Sequence, residues 1–429
     1  MDVGPADPNF EERCVTNSNQ WNPDRRDFLA QAAGGLAAMS LFPSILPAAP
    51  TLAAAGRRAP LQVALIGAGR QGRAMLTELA KFEAVRIAAI CDSDASRLES
   101  GVKKTKDATG FADAKALLEG AKDVEAVIIA TPTHLHKQIA LDSIQAGKHI
   151  YCEAPIAHTP EDCGDISAAA KDYKKVFAVG LEGRSNPVYS LARSFFRAGG
   201  LEALVSLRAQ AFQKTSWKTP ASDAAREKAL NWRLDKDVSI GLLGEFGTHQ
   251  IDVMRYFADS EPTSAMGVSG VRVYKDGRDV ADTASCLFKM STGQTLSYEA
   301  SLGNSFGGRF EVLHTTAAAF KMAWTHGWMF KEADAATQGW EVYANRQRFH
   351  NDEGITLIAD ATKLASQGKL KDGVGLPNTS LYYALADFVK SVTEGIPVAA
   401  TADDGAKASV AGILANRAVV TGNSVEIKA

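Results

Sequence analysis

Residues 61–82 read LQVALIGAGRQGRAMLTELAKF: an apolar run, three glycines spaced as G-x-G-x-x-G, and then apolar residues at helical spacing. This order predicts a strand, a tight loop and a helix, the first unit of a dinucleotide-binding fold. Gly67 permits the tight turn, Gly69 lets the backbone approach a pyrophosphate, and Gly72 lets the helix pack closely on the strand. The unpaired N–H groups at the start of the helix then favour phosphate groups.

The next strand supports this interpretation and indicates which dinucleotide is bound. The apolar part of VRIAAICDSD ends at Asp92, 20 residues beyond Gly72. A carboxylate at this place accepts both ribose hydroxyls and repels a 2′-phosphate, so we predict NAD rather than NADP. Arg70 and Gln71, at the first turn of the helix, are predicted cofactor contacts. The alternative is an ordinary strand–helix turn in which the acid only caps a helix.

Strands and helices alternate from residue 60 to residue 182, which predicts an α/β fold with a doubly wound parallel sheet. Ligands of such sheets bind in the crevice at the carboxyl ends of the strands. Three corners of the chain fall at such ends, and we expect them to face the nicotinamide end of the dinucleotide. They are Thr131-Pro132, Glu153-Ala154-Pro155 and Glu182-Gly183-Arg184.

Length and composition limit the classes of protein to be considered. A chain of 429 residues is too long for one ordinary core, so two domains are expected. Its net charge of −2 gives no electrostatic argument for nucleic acid or for an anionic membrane as a partner. The five cysteines show no C-x-x-C pair and no metal-ligand spacing, so no metal site is predicted. Cys91, Cys152 and Cys286 are expected as small buried residues in strands.

Residues 1–59 read as an export signal followed by a linker. The stretch NPDRRDFLAQAAGGLAAMSLF (22–42) places Arg25 and Arg26 before a short run of small apolar residues, and residues 53–55 offer an A-x-A cleavage site. The segment resembles a twin-arginine signal, although Asp24 stands where Ser or Thr is usual. The run is too short to span a bilayer, so we predict export by the twin-arginine machinery to the periplasm, without stable membrane insertion. The alternative is an amphipathic or disordered tail.

Several ordered blocks of sequence, spread from Leu61 to Ala429, carry a family resemblance. Through these blocks the chain resembles the glucose-fructose oxidoreductase and inositol dehydrogenase family (Gfo/Idh/MocA). The blocks are VALIGAGRQG, AAICDSD, ATPTHLHKQIALDSIQAGKHIYCEAPIA, GRSNPVYSLARSFFRAGGL, NWRLDKDVSIGLLGEFGTHQIDVMRYF and LADFVKSVTEGIPVAATADDGAKASV.

The resemblance implies both an architecture and an activity. The architecture is an N-terminal Rossmann domain (60–182) and a C-terminal domain (183–429) with a large open mixed sheet, whose bare face often makes homo-oligomer contacts. Strand-like runs such as ADTASCLFKM and QTLSYEASLG fit this second half. The implied activity is NAD-dependent oxidation of a sugar hydroxyl, in which a base takes the O–H proton and the C–H leaves as hydride.

The family motif D-x-G-x-H-x-x-D is present as EFGTHQID, residues 245–252. The resemblance implies that His249 is the catalytic base. Spacing i, i+4 puts Glu245 on the same helical face, where the acid is expected to orient the imidazole. Asp252, one turn further, is a second candidate for this orienting role and is also a candidate substrate contact.

The family's usual Glu-Lys-Pro corner reads Glu153-Ala154-Pro155 here, so its lysine is missing. Three hypotheses follow. The chain is a sugar oxidoreductase in which Arg184, Lys214 or Tyr189 replaces the lysine at the substrate. It is a redox-neutral NAD-dependent glycosidase or lyase, which oxidises, β-eliminates and re-reduces one glycoside. Or it is inactive and only binds nucleotide or sugar.

Export bears on how the cofactor is used. No NAD pool outside the cytoplasmic membrane is available for exchange, so an exported enzyme of this kind must hold its NAD tightly and recycle it internally. The oxidoreductase hypothesis is placed first because it is the commoner activity of the family.

The remaining candidates each have a structural alternative. His136 matches a family position near the nicotinamide, but can equally be a helix-start histidine bonded to backbone. Trp232 and Arg233 resemble a pair that approaches the cofactor, but can be a surface pair. Arg184 follows a strand end and meets either the nicotinamide or substrate, or forms a salt bridge between domains.

Two segments of the second half are harder to interpret. KMAWTHGWMFKEA (321–333) gathers aromatic residues that we assign to the core rather than to sugar stacking. Residues 334–375 are a possible insertion, and 351–369 within it predict a helix with Ile355, Leu357, Ile358 and Leu364 on one face.

Overall fold

The computed structural model of the chain describes residues 59–197, 203–339, 341, 344–359, 364, 366–369 and 375–428. The sheets and helices named below belong to one compact unit, residues 46–336 and 345–429. The predicted export signal lies outside the described residues. None of the helices in the described part of the chain has the length and apolar character needed to cross a bilayer.

The first sheet has six parallel strands in the order β3-β2-β1-β4-β5-β6. Apolar clusters cover both of its faces, as a parallel sheet flanked by helices requires. The predicted parallel sheet is therefore confirmed, although β3 is too short to have given a sequence pattern. The strands are β1 (Leu61–Ile66), β2 (Val85–Cys91), β3 (Thr109–Phe111), β4 (Ala126–Ile129), β5 (His149–Cys152) and β6 (Phe177–Val179).

The helices that flank this sheet begin where local chemistry favours a start. The side chains of Asp94, Asp113 and Thr159 accept hydrogen bonds from backbone N–H groups in the first turns that follow them. The helix of the glycine loop differs, because Gly69 precedes it and no side chain caps it. The helices are α1 (Arg70–Leu79), α2 (Ala95–Lys103), α3 (Ala114–Gly120), α4 (His136–Gln145) and α5 (Pro160–Lys171).

The second sheet has ten strands in the order β14-β15-β13-β12-β11-β7-β10-β9-β8-β16. Strands β7 and β10 pair in parallel and the other neighbours are antiparallel, so the predicted large mixed sheet is confirmed. The strands are β7 (Leu204–Phe212), β8 (Pro262–Gly270), β9 (Thr283–Met290), β10 (Thr295–Ser301), β11 (Arg309–Thr315), β12 (Ala318–Met322), β13 (Gly327–Lys331), β14 (Arg346–Phe349), β15 (Asp352–Thr356) and β16 (Val425–Glu426).

The helix predicted within residues 351–369 is wrong over its first part. Asp352–Thr356 form strand β15, in which Ile355 pairs with Met329 and Thr356 with Trp328 of β13. Pairing on both sides of β15 satisfies its backbone groups, which outweighs a short apolar periodicity. Most of residues 360–374 lie outside the described residues.

The helices of the second half include two that return to the first sheet. Leu385 and Phe388 of α9 share a core with Leu65, and Ala402 and Ala408 of α10 belong to the cluster on the other face. The C-terminal end of the chain therefore completes the packing of the parallel sheet. The helices are α6 (Pro187–Arg197), α7 (Ala224–Leu230), a π-helical turn (Leu243–Gly247), α8 (Thr248–Ala258), α9 (Ser380–Glu394) and α10 (Ala402–Thr421).

Candidate active site

A cavity of about 1870 Å³ opens along the carboxyl ends of the parallel strands. Its volume exceeds the range of roughly 300–1,000 Å³ that is usual for small ligands, so it has room for a dinucleotide together with a second molecule. Most of the predicted site residues line it. They are Gly67, Gly69, Arg70, Gln71, Asp92, Thr131, Pro132, His136, Glu153, Ala154, Trp232, Arg233, Glu245 and His249.

The glycine loop has the geometry of a phosphate cradle. Gly67 has φ of +100°, and a Cβ on Gly72 would lie 1.9 Å from the carbonyl oxygen of Gly67. Gly69 is different, because the nearest atom to a Cβ there is 3.6 Å away, on the Arg97 side chain. Packing within the protein therefore requires glycine at 67 and 72, whereas the open space at 69 lets a ligand approach the backbone. The uncapped start of α1 fits the same ligand.

Asp92 follows β2 at the cavity wall, as the prediction of an NAD ribose site requires. Its Oδ2 accepts from the backbone N–H of Ala68 at 2.8 Å, and its Oδ1 from that of Asp94 at 2.9 Å. Each carboxylate oxygen can accept a further hydrogen bond, so the fixed carboxylate is suited to ribose hydroxyls. The residues present thus fit NAD.

His136 joins two of the corners that the sequence predicted at this edge. Its Nδ1 lies 2.9 Å from the carbonyl oxygen of Pro155, and its Nε2 lies 2.9 Å from that of Thr131. The side chain is almost fully buried, and burial lowers its pKa to about 4. His136 thus holds the cavity wall together.

Among the described residues, no group of three or more His, Cys, Asp or Glu side chains is placed to hold a metal ion.

His249 lies in the first turn of α8 and contacts the cavity. Burial is the main cause that lowers its pKa to about 4, and the positive charge of Arg309 lowers it further. A hydrogen bond with the backbone of Ala154 acts in the opposite direction. The imidazole is therefore neutral at neutral pH and is able to accept a proton.

The expectation that Glu245 orients His249 is not met by the structure. Glu245 accepts hydrogen bonds from Thr133 Oγ1 at 3.1 Å and from Arg233 Nε at 2.8 Å. It belongs to the π-helical turn before α8, where the wider turn breaks the simple i, i+4 relation. Glu245 thus fixes Arg233 and the Thr133 corner, while the contact of His249 is to the backbone of Ala154.

Arg184, Tyr189 and Asp252, which the sequence offered as substrate contacts, do not line the cavity. Arg184 makes a two-pronged ion pair with Asp252, with both N–O distances 2.8 Å, and also contacts Asp404 at 3.0 Å. Tyr189 is fully buried, and its hydroxyl donates a short hydrogen bond to Glu311. Arg184 and Tyr189 are thus held by acidic side chains, and neither lines the cavity in which the cofactor is proposed to bind.

Several cavity residues were missed by sequence reasoning: Trp217, Phe246, Arg309 and Trp324. Trp324 was assigned to the core, yet it lines the cavity, with its backbone in the left-handed region at φ +63°. Arg309 begins strand β11 and is brought to the site by sheet pairing with Ala211 of β7. No local motif marks these residues, because each comes from a different part of the second half of the chain.

Two buried carboxyl groups, Glu153 and Glu182, share the same wall. Gln71 Nε2 donates to Glu153 Oε1 at 3.2 Å. Burial raises the pKa of both carboxyl groups, and the charge of Glu182 raises that of Glu153 further. Near neutral pH the folded protein therefore favours one proton on this pair, carried mainly by Glu153.

The raised pKa of Glu153 predicts a pH-dependent effect of Glu153→Gln on stability. A group whose pKa is raised by folding stabilises the native state below its unfolded pKa, and this contribution is lost as pH rises through the folded value. The variant should therefore gain stability relative to wild type between pH 5 and pH 8, by at least about 1 kcal/mol. Denaturant melts at the two pH values test this. Glu99→Gln, on the exposed face of α2, is the control, and an equal response of both variants would contradict the assignment.

Two family models match this chain. A family model described as "Oxidoreductase family, NAD-binding Rossmann fold" matches residues 61–181, and one described as "GFO/IDH/MocA C-terminal domain" matches residues 189–320. Together the two models cover more than half of the chain.

Known proteins match part of this chain in sequence, and solved structures are similar to it in fold. A levoglucosan dehydrogenase of Pseudarthrobacter phenanthrenivorans is 30% identical over 199 residues, which cover 42% of this chain and 49% of that protein. An inositol 2-dehydrogenase of Acidothermus cellulolyticus is 28% identical, covering 58% of this chain and 68% of that protein. The structure of a levoglucosan dehydrogenase in complex with NADH has a TM-score of 0.69 at 22% identity, covering 86% of this chain and 99% of that one.

Proposed function

Since the chain belongs to the Gfo/Idh/MocA oxidoreductase family, we propose that it is an NAD-dependent oxidoreductase that oxidises a hydroxyl group of a sugar or sugar derivative. The observation that carries the proposal is the position of His249. Its neutral imidazole lines the same cavity as the glycine cradle and Asp92, so a base and a cofactor site face one space.

The residues of the cavity divide into a cofactor part and a reaction part. Gly67, Gly69 and the start of α1 would hold the pyrophosphate, and Asp92 would hold the adenosine ribose. When bound, NAD⁺ supplies the acceptor for the hydride. His249 accepts the hydroxyl proton, which leaves the oxygen electron-rich and favours departure of the hydride from carbon.

The proposed substrate class comes from the names of the relatives. The aligned part spans about half the length of the levoglucosan dehydrogenase, so the substrate remains a proposal for this chain. That protein and the inositol dehydrogenase are named for a sugar derivative and a polyol, and further solved neighbours are titled as complexes with levoglucosan and L-sorbose. A carbohydrate is therefore the proposed substrate. The glycoside-cleaving alternative has less support, since inositol dehydrogenases match 58–61% of the chain whereas a glycosyl hydrolase family 109 protein matches 35%. The inactive alternative has less support because these relatives are named as enzymes.

We further propose that the protein holds its NAD tightly, that it is exported and that it forms a homo-oligomer. Paired Arg25 and Arg26 before an apolar run support the twin-arginine route, and export supports a cofactor that is recycled in place. Exposed apolar side chains on strands of the large sheet support a homo-oligomer contact. They are Val205, Met266, Val268 and Leu287.

The test begins with the purified, exported protein. Denaturation should release one NAD per chain, and incubation with a panel of sugars should reduce the bound cofactor, seen as absorbance at the wavelength of NADH. Added ketose should then reoxidise it. Release of nitrophenol from nitrophenyl glycosides, with no net reduction, would instead support the glycoside-cleaving alternative. If no sugar reduces the bound NAD and no nitrophenyl glycoside is cleaved, the result would support a binding protein.

A further inference from the structure

The site lacks a cation at residue 154, and the replacements suggested by sequence do not reach the cavity. Arg184 is held by Asp252, and the Tyr189 hydroxyl is held by Glu311. Lys214 is exposed and does not line the cavity. If a positive charge assists loss of the substrate proton, it must come from another residue.

Arg309 is the candidate for this charge that the structure offers. It is the first residue of β11 and lines the cavity together with Ala154 and His249. Its guanidinium lies 4.8 Å from the ring centroid of Phe246, which precedes His249 by three residues. The side chain is thus held against the π-helical turn that directly precedes the helix of His249.

Arg309 forms no ion pair with a carboxylate in the part of the chain that the structure describes, whereas two other arginines that line the cavity do. Arg233 Nε pairs with Glu245 at 2.8 Å, and Arg226 Nε pairs with Asp94 at 2.6 Å. A guanidinium that is partly buried without an acceptor is costly, so this arrangement favours a ligand oxygen in front of it. The charge also acts on His249, since it contributes to lowering the pKa of the imidazole.

We propose that Arg309 binds the hydroxyl oxygen that is oxidised and supplies the positive charge that the missing lysine would otherwise provide. This rests on the proposed function. As the O–H bond breaks, the proton passes to the imidazole of His249, and the negative charge left on oxygen is stabilised by the guanidinium. In this step the guanidinium supplies charge and hydrogen bonds only, and the proton goes to His249.

The test compares Arg309→Gln, Arg309→Lys and Arg208→Gln, all as full-length protein with bound NAD. Arg208 is a matched control: it is exposed on the neighbouring strand β7, with its guanidinium 5.8 Å from the Phe310 ring. Arg309→Gln should lower the rate of sugar oxidation about 10²-fold, as loss of one donor to a developing oxyanion does. Arg309→Lys should retain part of the rate, and Arg208→Gln should match wild type.

Two further measurements separate catalysis from structure. The acid limb of the pH–rate profile should move to higher pH in Arg309→Gln, because the charge that disfavours protonated His249 is gone. The dissociation constant of NADH should change less than threefold. An active wild type with an unchanged rate and acid limb in Arg309→Gln would overturn this proposal alone, and so would a loss confined to NADH affinity. A wild type that oxidises no sugar would overturn the proposed function and this proposal with it.

Discussion

Replacing His249 by asparagine is expected to lower the rate of sugar oxidation roughly 10²–10⁴-fold, the range for loss of a general base. Asparagine fills most of the imidazole volume but cannot accept a proton at neutral pH. The base is neutral in the wild type because burial and Arg309 lower its pKa to about 4. Stopped-flow reduction of the bound NAD measures the step directly.

The control for this variant is His326→Asn. His326 stacks on Trp328 away from the cavity, so its replacement should leave the rate unchanged. NADH should bind His249→Asn as it binds wild type, since cofactor affinity comes from the glycine cradle and Asp92. A His249→Asn protein that keeps more than a third of the wild-type rate would exclude the imidazole as the base.

Gly72→Ala is expected to have the largest effect on the cofactor site. Its new Cβ would lie 1.9 Å from the carbonyl oxygen of Gly67 and 3.2 Å from the Leu65 side chain. Backbone cannot yield as a flexible side chain does, so α1 must move away from β1. We expect a loss of about 2 kcal/mol or more in stability, and loss of NADH binding. Thermal melts and NADH fluorescence titrations measure the two effects.

Two other glycines distinguish packing from ligand approach. Gly69→Ala meets no close atom, so it should leave the melting temperature unchanged while weakening NADH binding. Gly164→Ala, in the interior of α5 with open space around it, should preserve NADH affinity and gain about 0.5–1 kcal/mol in stability. Equal stability of Gly72→Ala and Gly164→Ala would contradict the packing argument.

Much of the cofactor site could be predicted from the sequence because its parts are local. The glycine spacing, the acid at the end of β2 and the corners after β4 and β5 depend on contiguous backbone geometry. Parallel strands bring their carboxyl ends to one edge, so separate motifs converge without knowledge of the distant chain. The reaction end was predicted less well: His249 lines the cavity, but its expected partners Glu245 and Asp252 bind arginines.

The sequence by itself determined the alternation of strands and helices in the first half of the chain, the glycine loop and the position of His249 in its motif. Only the tertiary structure decided which charge neighbours which. Arg309 arrives from β11 by sheet pairing, Trp324 from the turn after β12, and the π-helical turn redirects Glu245 to Arg233. The physical reason is that a local pattern specifies backbone conformation, whereas the partners of a buried charge depend on distances between segments far apart in the chain.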